Sequence, residues 1–227
     1  MKKLFTLATA IMLMMACSSE SENRISKTSV DIFVNQTHQL TYSSNCVWRS
    51  DNALIASVSN GLVTGHYVGT TNVYANNDAC KVTVYPRNEF YIDAFVDFGA
   101  HYTKARDYYL KKGAKELSST STGGFLEGRD GEYYIYLCSN DVVTATALYT
   151  SLSRLEICTE YLLERYILVT EDDDIYMFID PTQSFMVGLS FNTDYKEEYM
   201  VNIIYMPYDS RASVTDYFNL VRETINL

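Results

Sequence analysis

The apolar and polar positions change period three times along the chain. Leu4 to Met15 is an almost unbroken apolar run. At about a dozen residues it is too short to cross a bilayer, which needs about twenty. It follows the basic start Met1-Lys2-Lys3 and ends at Ala16-Cys17, so residues 1–16 read as an export signal. The next stretch, Ser18 to Asn23, is polar and acidic. Residues 17–24 therefore read as a flexible tether.

From about residue 25 to 86 the period is two. Val30, Ile32 and Val34 alternate with polar neighbours, and Leu40 and Tyr42 continue the pattern. Short strand-like runs follow at Val47-Trp48, Ile55 to Val58, Leu62-Val63, Thr71 to Tyr74 and Lys81 to Val84. Turn residues separate them, and Asn60-Gly61 is a strong hairpin signal. Many short alternating runs with regular turns predict an all-β sandwich. Trp48, on one of those runs, is expected to pack in its core.

Pro86-Arg87-Asn88 reads as a short boundary, so the flanking modules are expected to touch. Beyond it the pattern mixes periods. Tyr102 to Lys112 reads as a helix, with Lys111 and Lys112 at its end and Gly113 to stop it. Strands are expected at 116–120, 124–127, 132–138 and 142–148, with Arg129-Asp130-Gly131 as a turn. A second helix is expected over 151–165, with Leu152, Leu155, Cys158 and Leu162 as its apolar stripe. Strands follow at 166–170, 175–179, 185–191 and 199–205. Val214, Phe218, Val221 and Ile225 share one face of a final helix over about 211–226. Residues 87–227 thus predict an α+β domain: helix, four strands, helix, four strands, with the halves about 50 residues apart.

Composition sharpens this picture in two ways. Tyr is abundant, 20 against 10 Phe, as suits strand-rich structure or an aromatic recognition surface. The formal charge is −10 with no basic stripe, which argues against nucleic acid as a partner. Attachment to a membrane must then come from a lipid rather than from charge.

Met14-Met15-Ala16-Cys17 resembles a lipobox, in which the chain is cut before the Cys and the thiol is acylated. The acidic stretch after it is similar to the surface-export signal of Bacteroidota lipoproteins. The resemblance implies a lipid on Cys17 and anchorage in the outer membrane, facing outward. Cleavage elsewhere, with Cys17 a free thiol, is the alternative.

Residues 25–86 resemble the bacterial immunoglobulin-like group 2 (Big_2) family. The matching words are Gln39-Leu40, Val47-Trp48-Arg49-Ser50-Asp51, Ile55 to Gly65, Val68-Gly69-Thr70-Thr71 and Ala79 to Tyr85. Asn35-Gln36 departs from the family's Gly-Glu at little cost, since Asn also tolerates the left-handed region. The resemblance implies a spacer or presentation module, not catalysis. An extracellular location permits disulfides. Membership of one module favours Cys46–Cys80, with two buried free thiols as the alternative. Cys138 and Cys158 could pair or stay free. The helix-plus-sheet order of residues 87–227 resembles the plan of β-lactamase inhibitor proteins and of the TATA-binding protein, in fold only.

Few residues carry recognisable chemistry. His38, His66 and His101 have no partners at metal-ligand spacing. No nucleophile elbow or phosphate-cradling glycine loop is present. Asp172 to Asp174 lacks the spacing of a Ca²⁺ loop and reads as a solvated turn. No catalytic residue, cofactor or metal is therefore expected. The expectation is a non-enzymatic surface lipoprotein. The sandwich would be its spacer, and residues 87–227 would recognise an unknown protein or glycan, using exposed Tyr on the second sheet. A protein inhibitor or assembly factor is the alternative, and a surface glycan hydrolase a second one.

Overall fold

The computed structural model describes residues 24–172, 175–192 and 200–208. The expected export signal, Cys17 and nearly all of the expected tether lie outside the described residues, as do Asp173-Asp174 and the helix expected over 211–226. The described chain is mostly strand, arranged in sandwich-like sheets with two α-helices.

Seven strands build the first module: β1 (Ser29–Phe33), β2 (Thr37–Gln39), β3 (Trp48–Ser50), β4 (Ala56–Ser59), β5 (Leu62–Gly65), β6 (Gly69–Ala75) and β7 (Asp78–Tyr85). One sheet has the order β1-β7-β6-β3, the other β2-β5-β4. Period-two alternation turns one side of each strand inward: Val30 and Ile32 of β1 meet Cys80, Val82 and Val84 of β7, with Val63 facing them from the other sheet. β1 runs parallel to β7, and the other pairings are antiparallel. Asn60 and Gly61 both take positive φ, 49° and 79°, as a tight β4–β5 hairpin requires. Asn35 likewise sits at φ 62°. Trp48 is half-buried and packs against this core.

The remaining strands form a single antiparallel sheet. After α1 (Tyr102–Lys111) come β8 (Lys115–Thr120), β9 (Gly123–Glu127), β10 (Tyr133–Ser139) and β11 (Val142–Ser151). After α2 (Leu155–Arg165) come β12 (Ile167–Asp172), β13 (Ile175–Ile179), β14 (Phe185–Asn192) and β15 (Met200–Pro207). The sheet order is β12-β13-β14-β15-β11-β10-β9-β8, so each four-strand meander ends at the centre and the two last strands pair. β12, β13 and β14 each begin 52 residues after their counterparts: Lys115 to Ile167, Gly123 to Ile175, Tyr133 to Phe185. Both edge strands carry a bulge at their third residue, Leu117 in β8 and Val169 in β12. A bulge at an edge disrupts further pairing.

One row of residues crosses seven of the strands on the helix side: Glu116, Leu126, Tyr134, Leu148, Ile203, Leu189 and Tyr176. Its central members join Tyr109 of α1 and Cys158, Tyr161 and Leu162 of α2 in the main core. Leu152 and Leu155 pack at its margin, where a 3₁₀ turn (Leu152–Arg154) precedes α2.

Two expectations are corrected. The tyrosines of the sheet do not form an exposed surface. Tyr134, Tyr136 and Tyr205 are buried, and Tyr133 and Tyr149 are half-buried. The bulk of Tyr134, Tyr136 and Tyr205 fills the space between sheet and helices, and their hydroxyls find partners there, such as Ser119 for Tyr136. The Cys46–Cys80 disulfide is also absent: Cys46, Cys80, Cys138 and Cys158 are all free. The register gives the reason. Cys80 opposes Val73, which opposes Ser50. Cys46 lies four residues before Ser50 and two strands away, roughly 16 Å from Cys80. A disulfide needs Cα atoms within about 7 Å. Alkylation of the unfolded protein without reductant is therefore expected to modify all four of these cysteines. Blocked Cys46 and Cys80 would contradict the register.

Candidate functional site

The seam between the two modules holds the charged side chains of Arg87, Asp93, Glu164 and Arg165. Its centre is the end of α2. Arg165 follows Cys158, Tyr161 and Leu162 on the inward face of that helix, so it is carried into the core with only 5% of its surface exposed. Each of its three nitrogens donates a hydrogen bond. Nε donates to Asp93 at 2.9 Å, Nη1 to the carbonyl of Tyr161 and Nη2 to the carbonyl of Asn88, both at 3.3 Å. The guanidinium also lies 3.9 Å from the centroid of the Tyr161 ring. Burial works against its charge, but Tyr161 and Asp93 outweigh that and hold the group above its ordinary range.

Glu164, one residue earlier, faces the linker. Its carboxylate accepts from the backbone N–H groups of Arg87 (3.0 Å) and Asn88 (3.1 Å). Its carbonyl accepts from the N–H of Val68 in the sandwich at 2.9 Å. Arg87 reaches back to the carbonyl of Val34, and Asn52 donates to the carbonyl of Pro181. Bonds made by backbone groups leave little rotational slack, so the seam fixes the modules against each other.

A cleft of about 770 Å³ opens beside this seam. The sandwich contributes Val68 to Thr70 and Thr83 to Tyr85, and the linker contributes Glu89 to Asp93. The second module contributes Lys112, Arg129, Asp130, Glu132 and Arg165. Two aromatic side chains of this cleft are open to solvent, Phe90 at 49% and Tyr85 at 43%. Glu132 is buried, and its carboxylate accepts from the N–H of Asp130 at 2.9 Å and the hydroxyl of Tyr134 at 3.0 Å. Gly128 permits this, because a Cβ there would collide with the carboxylate. A second concavity of similar volume lies across the seam, lined by Leu54, His66, Tyr67, Arg87 and Leu163 among others. It carries neither of the first cleft's two exposed aromatics.

The residues singled out in the sequence fall elsewhere. His38 lies in β2, His66 bonds Ser57 at 2.7 Å, and His101 caps α1 by accepting from the N–H of Thr103. No group of three metal-ligating side chains occurs among the described residues. Cys158 is buried against the hydroxyl of Tyr91. Burial pushes its thiol up, as it does that of Cys80, and Cys138 is pushed up to about 11. Such thiols are poor nucleophiles at neutral pH. The sequence reading missed Arg165, Asp93, Glu132 and Phe90. Only Arg165 left a signal: a cation one turn beyond Tyr161 on an otherwise apolar helix face.

Comparison with family models, with curated proteins and with solved structures gave no match.

Two expectations follow. Glu164→Ala removes the acceptor of two linker N–H groups, each worth about 1 kcal/mol. Hydrogen exchange at Arg87 and Asn88 should quicken by roughly tenfold while β10 and β11 stay protected. Unchanged exchange at both amides would refute the role given to Glu164. The second concerns alkali. Tyr108 is pushed up to about 12 from 10.0, and Cys138 to about 11 from 9.0, both by burial. The folded state therefore keeps protons that the unfolded chain loses first. The stability they contribute is full below about pH 9 and falls as pH rises through 9 to 12. Thermal unfolding should show a flat midpoint from pH 6.5 to 8.5 and a decline above it. A midpoint that rises with alkali would contradict this.

Proposed function

We propose that this chain is a lipid-anchored, surface-displayed binding protein that takes a glycan in the cleft between its two modules. Cys17 would carry the lipid and hold the protein at the outer membrane. Residues 25–86 would be a Big_2 immunoglobulin-like module, a reading supported by the seven-strand sandwich and its Asn60-Gly61 hairpin. The chain beyond residue 87 would be an α+β domain built from a duplicated helix-plus-four-strand unit. The constant 52-residue offset and the matching edge bulges support that.

The observation that carries the reading is the cleft itself. Its volume of about 770 Å³ suits a ligand of a few rings better than the flat face of a protein. Phe90 and Tyr85 offer apolar ring faces against which a sugar's C–H groups can stack, beside the carboxylates of Glu89 and Asp93 and the amine of Lys112, which can meet its hydroxyls. The most buried charges, Arg165 and Glu132, are engaged in bonds within the protein. That favours binding over catalysis. On this reading the sandwich is more than a spacer, since it supplies one wall.

A glycan array probed with the full soluble chain tests the proposal. At least one glycan class should bind, and Phe90→Ala should weaken it about tenfold, or about 1.4 kcal/mol. No glycan bound, or equal binding by Phe90→Ala, would contradict it.

A further inference from the structure

The cleft between the modules opens onto a second surface. Tyr85, the last residue of β7, forms part of the cleft wall. In the register of the parallel β1–β7 pair it faces Phe33, the last residue of β1. Phe33 lies outside the cleft lining, and 51% of it is exposed. The two ring centroids are 6.4 Å apart, and the ring planes are inclined at 54°. β1 is the edge strand of its sheet.

This aromatic pair sits on the outer face of the sandwich. Period two sends Val30, Ile32, Val82 and Val84 into the core and turns Asp31, Phe33, Thr83 and Tyr85 outward. Asp31 opposes Thr83, which opposes Thr70 of β6. Thr70 and Thr83 line the cleft as well, so cleft and outer face are one continuous surface. Among the described residues, neither the Asp31 carboxylate nor the Thr83 hydroxyl takes part in a hydrogen bond or ion pair. Farther along, Arg49 is already engaged, paired with Asp51 at 2.8 Å and lying over the Tyr74 ring.

An exposed Phe beside an exposed Tyr on a polar face leaves apolar area in water. Cross-strand pairing of the rings offsets part of that cost but leaves their outer faces open. An open ring face with a free carboxylate one pleat away is the chemistry that takes a sugar. The ring covers the sugar's C–H face, and the carboxylate accepts from its hydroxyls.

We infer that Phe33, with Asp31 and Thr83, forms a second sugar subsite outside the cleft. The ligand is then a flexible oligosaccharide chain that leaves the cleft over Tyr85 and crosses Phe33. This rests on the glycan reading of the cleft and names the class of glycan. Two rings inclined at 54° cannot both lie flat against one planar surface. Each can meet one sugar of a chain that turns between successive units. The floor therefore selects soluble single chains over the flat faces of crystalline polysaccharides.

Titration calorimetry of the full soluble chain tests the inference with cello-, xylo-, manno-, malto- and chito-oligosaccharides, each from disaccharide to hexasaccharide. In a series that binds, affinity should rise with length. Phe33→Ala should weaken the hexasaccharide roughly fivefold and leave the shortest bound member unchanged. Asp31→Asn, which keeps the aromatic pair, should also weaken only the longer members. Affinity independent of length, a loss equal at every length, or a hexasaccharide unaffected by both substitutions would overturn the second subsite and leave the cleft reading standing. No binding in any series would overturn both. Capture of the protein by microcrystalline cellulose or chitin powder, equal in wild type and Phe33→Ala, would overturn the choice of single chains.

Discussion

Arg165 is the point on which the two modules and the cleft depend. It is a charge carried into a core by the geometry of its own helix, and a buried charge must be met by partners. Those partners are Asp93 and Asn88 of the linker and Tyr161 of α2. Satisfying one guanidinium thus fixes the course of the linker. Glu164 beside it fixes the linker's first residues and the neighbouring strand entrance at Val68. The cleft is what remains open once these contacts are made.

The element order was legible in the sequence because each element obeys one clear period. β13 falls on the continuous apolar run from Ile175 to Ile179, and α1 and α2 fall within a few residues of their capped or striped segments. The sandwich was legible for the same reason, through turn residues such as Asn60-Gly61 that set hairpins locally. What alternation does not carry is the identity of the neighbour on each face. Tyr134 and Tyr136 read equally well as an exposed aromatic row or as core, and only the arrival of α1 and α2 decides for core.

The disulfide and the site failed for a related reason. Cys46 and Cys80 share a module, but sharing a module says nothing about distance, and the register separates them. The cleft is assembled from strand ends, a linker and a hairpin turn, 97 positions apart between Val68 and Arg165. Glu132 reads as the first residue of a strand but lies just before β10, and Phe90 lies in the linker, so no local rule marks either for the cleft. The acidic balance of the chain survives into the cleft, where Glu89, Asp93, Asp130 and Glu132 stand against Lys112, Arg129 and Arg165.

The central claim is that backbone-level bonding at Glu164 and Arg165 makes one cooperative body of two modules. Differential scanning calorimetry of the full soluble chain tests it most directly. One transition is predicted, with the calorimetric enthalpy equal to the van't Hoff enthalpy. Two resolved transitions, or a calorimetric enthalpy well above the van't Hoff value, would show modules that unfold separately and would contradict the claim.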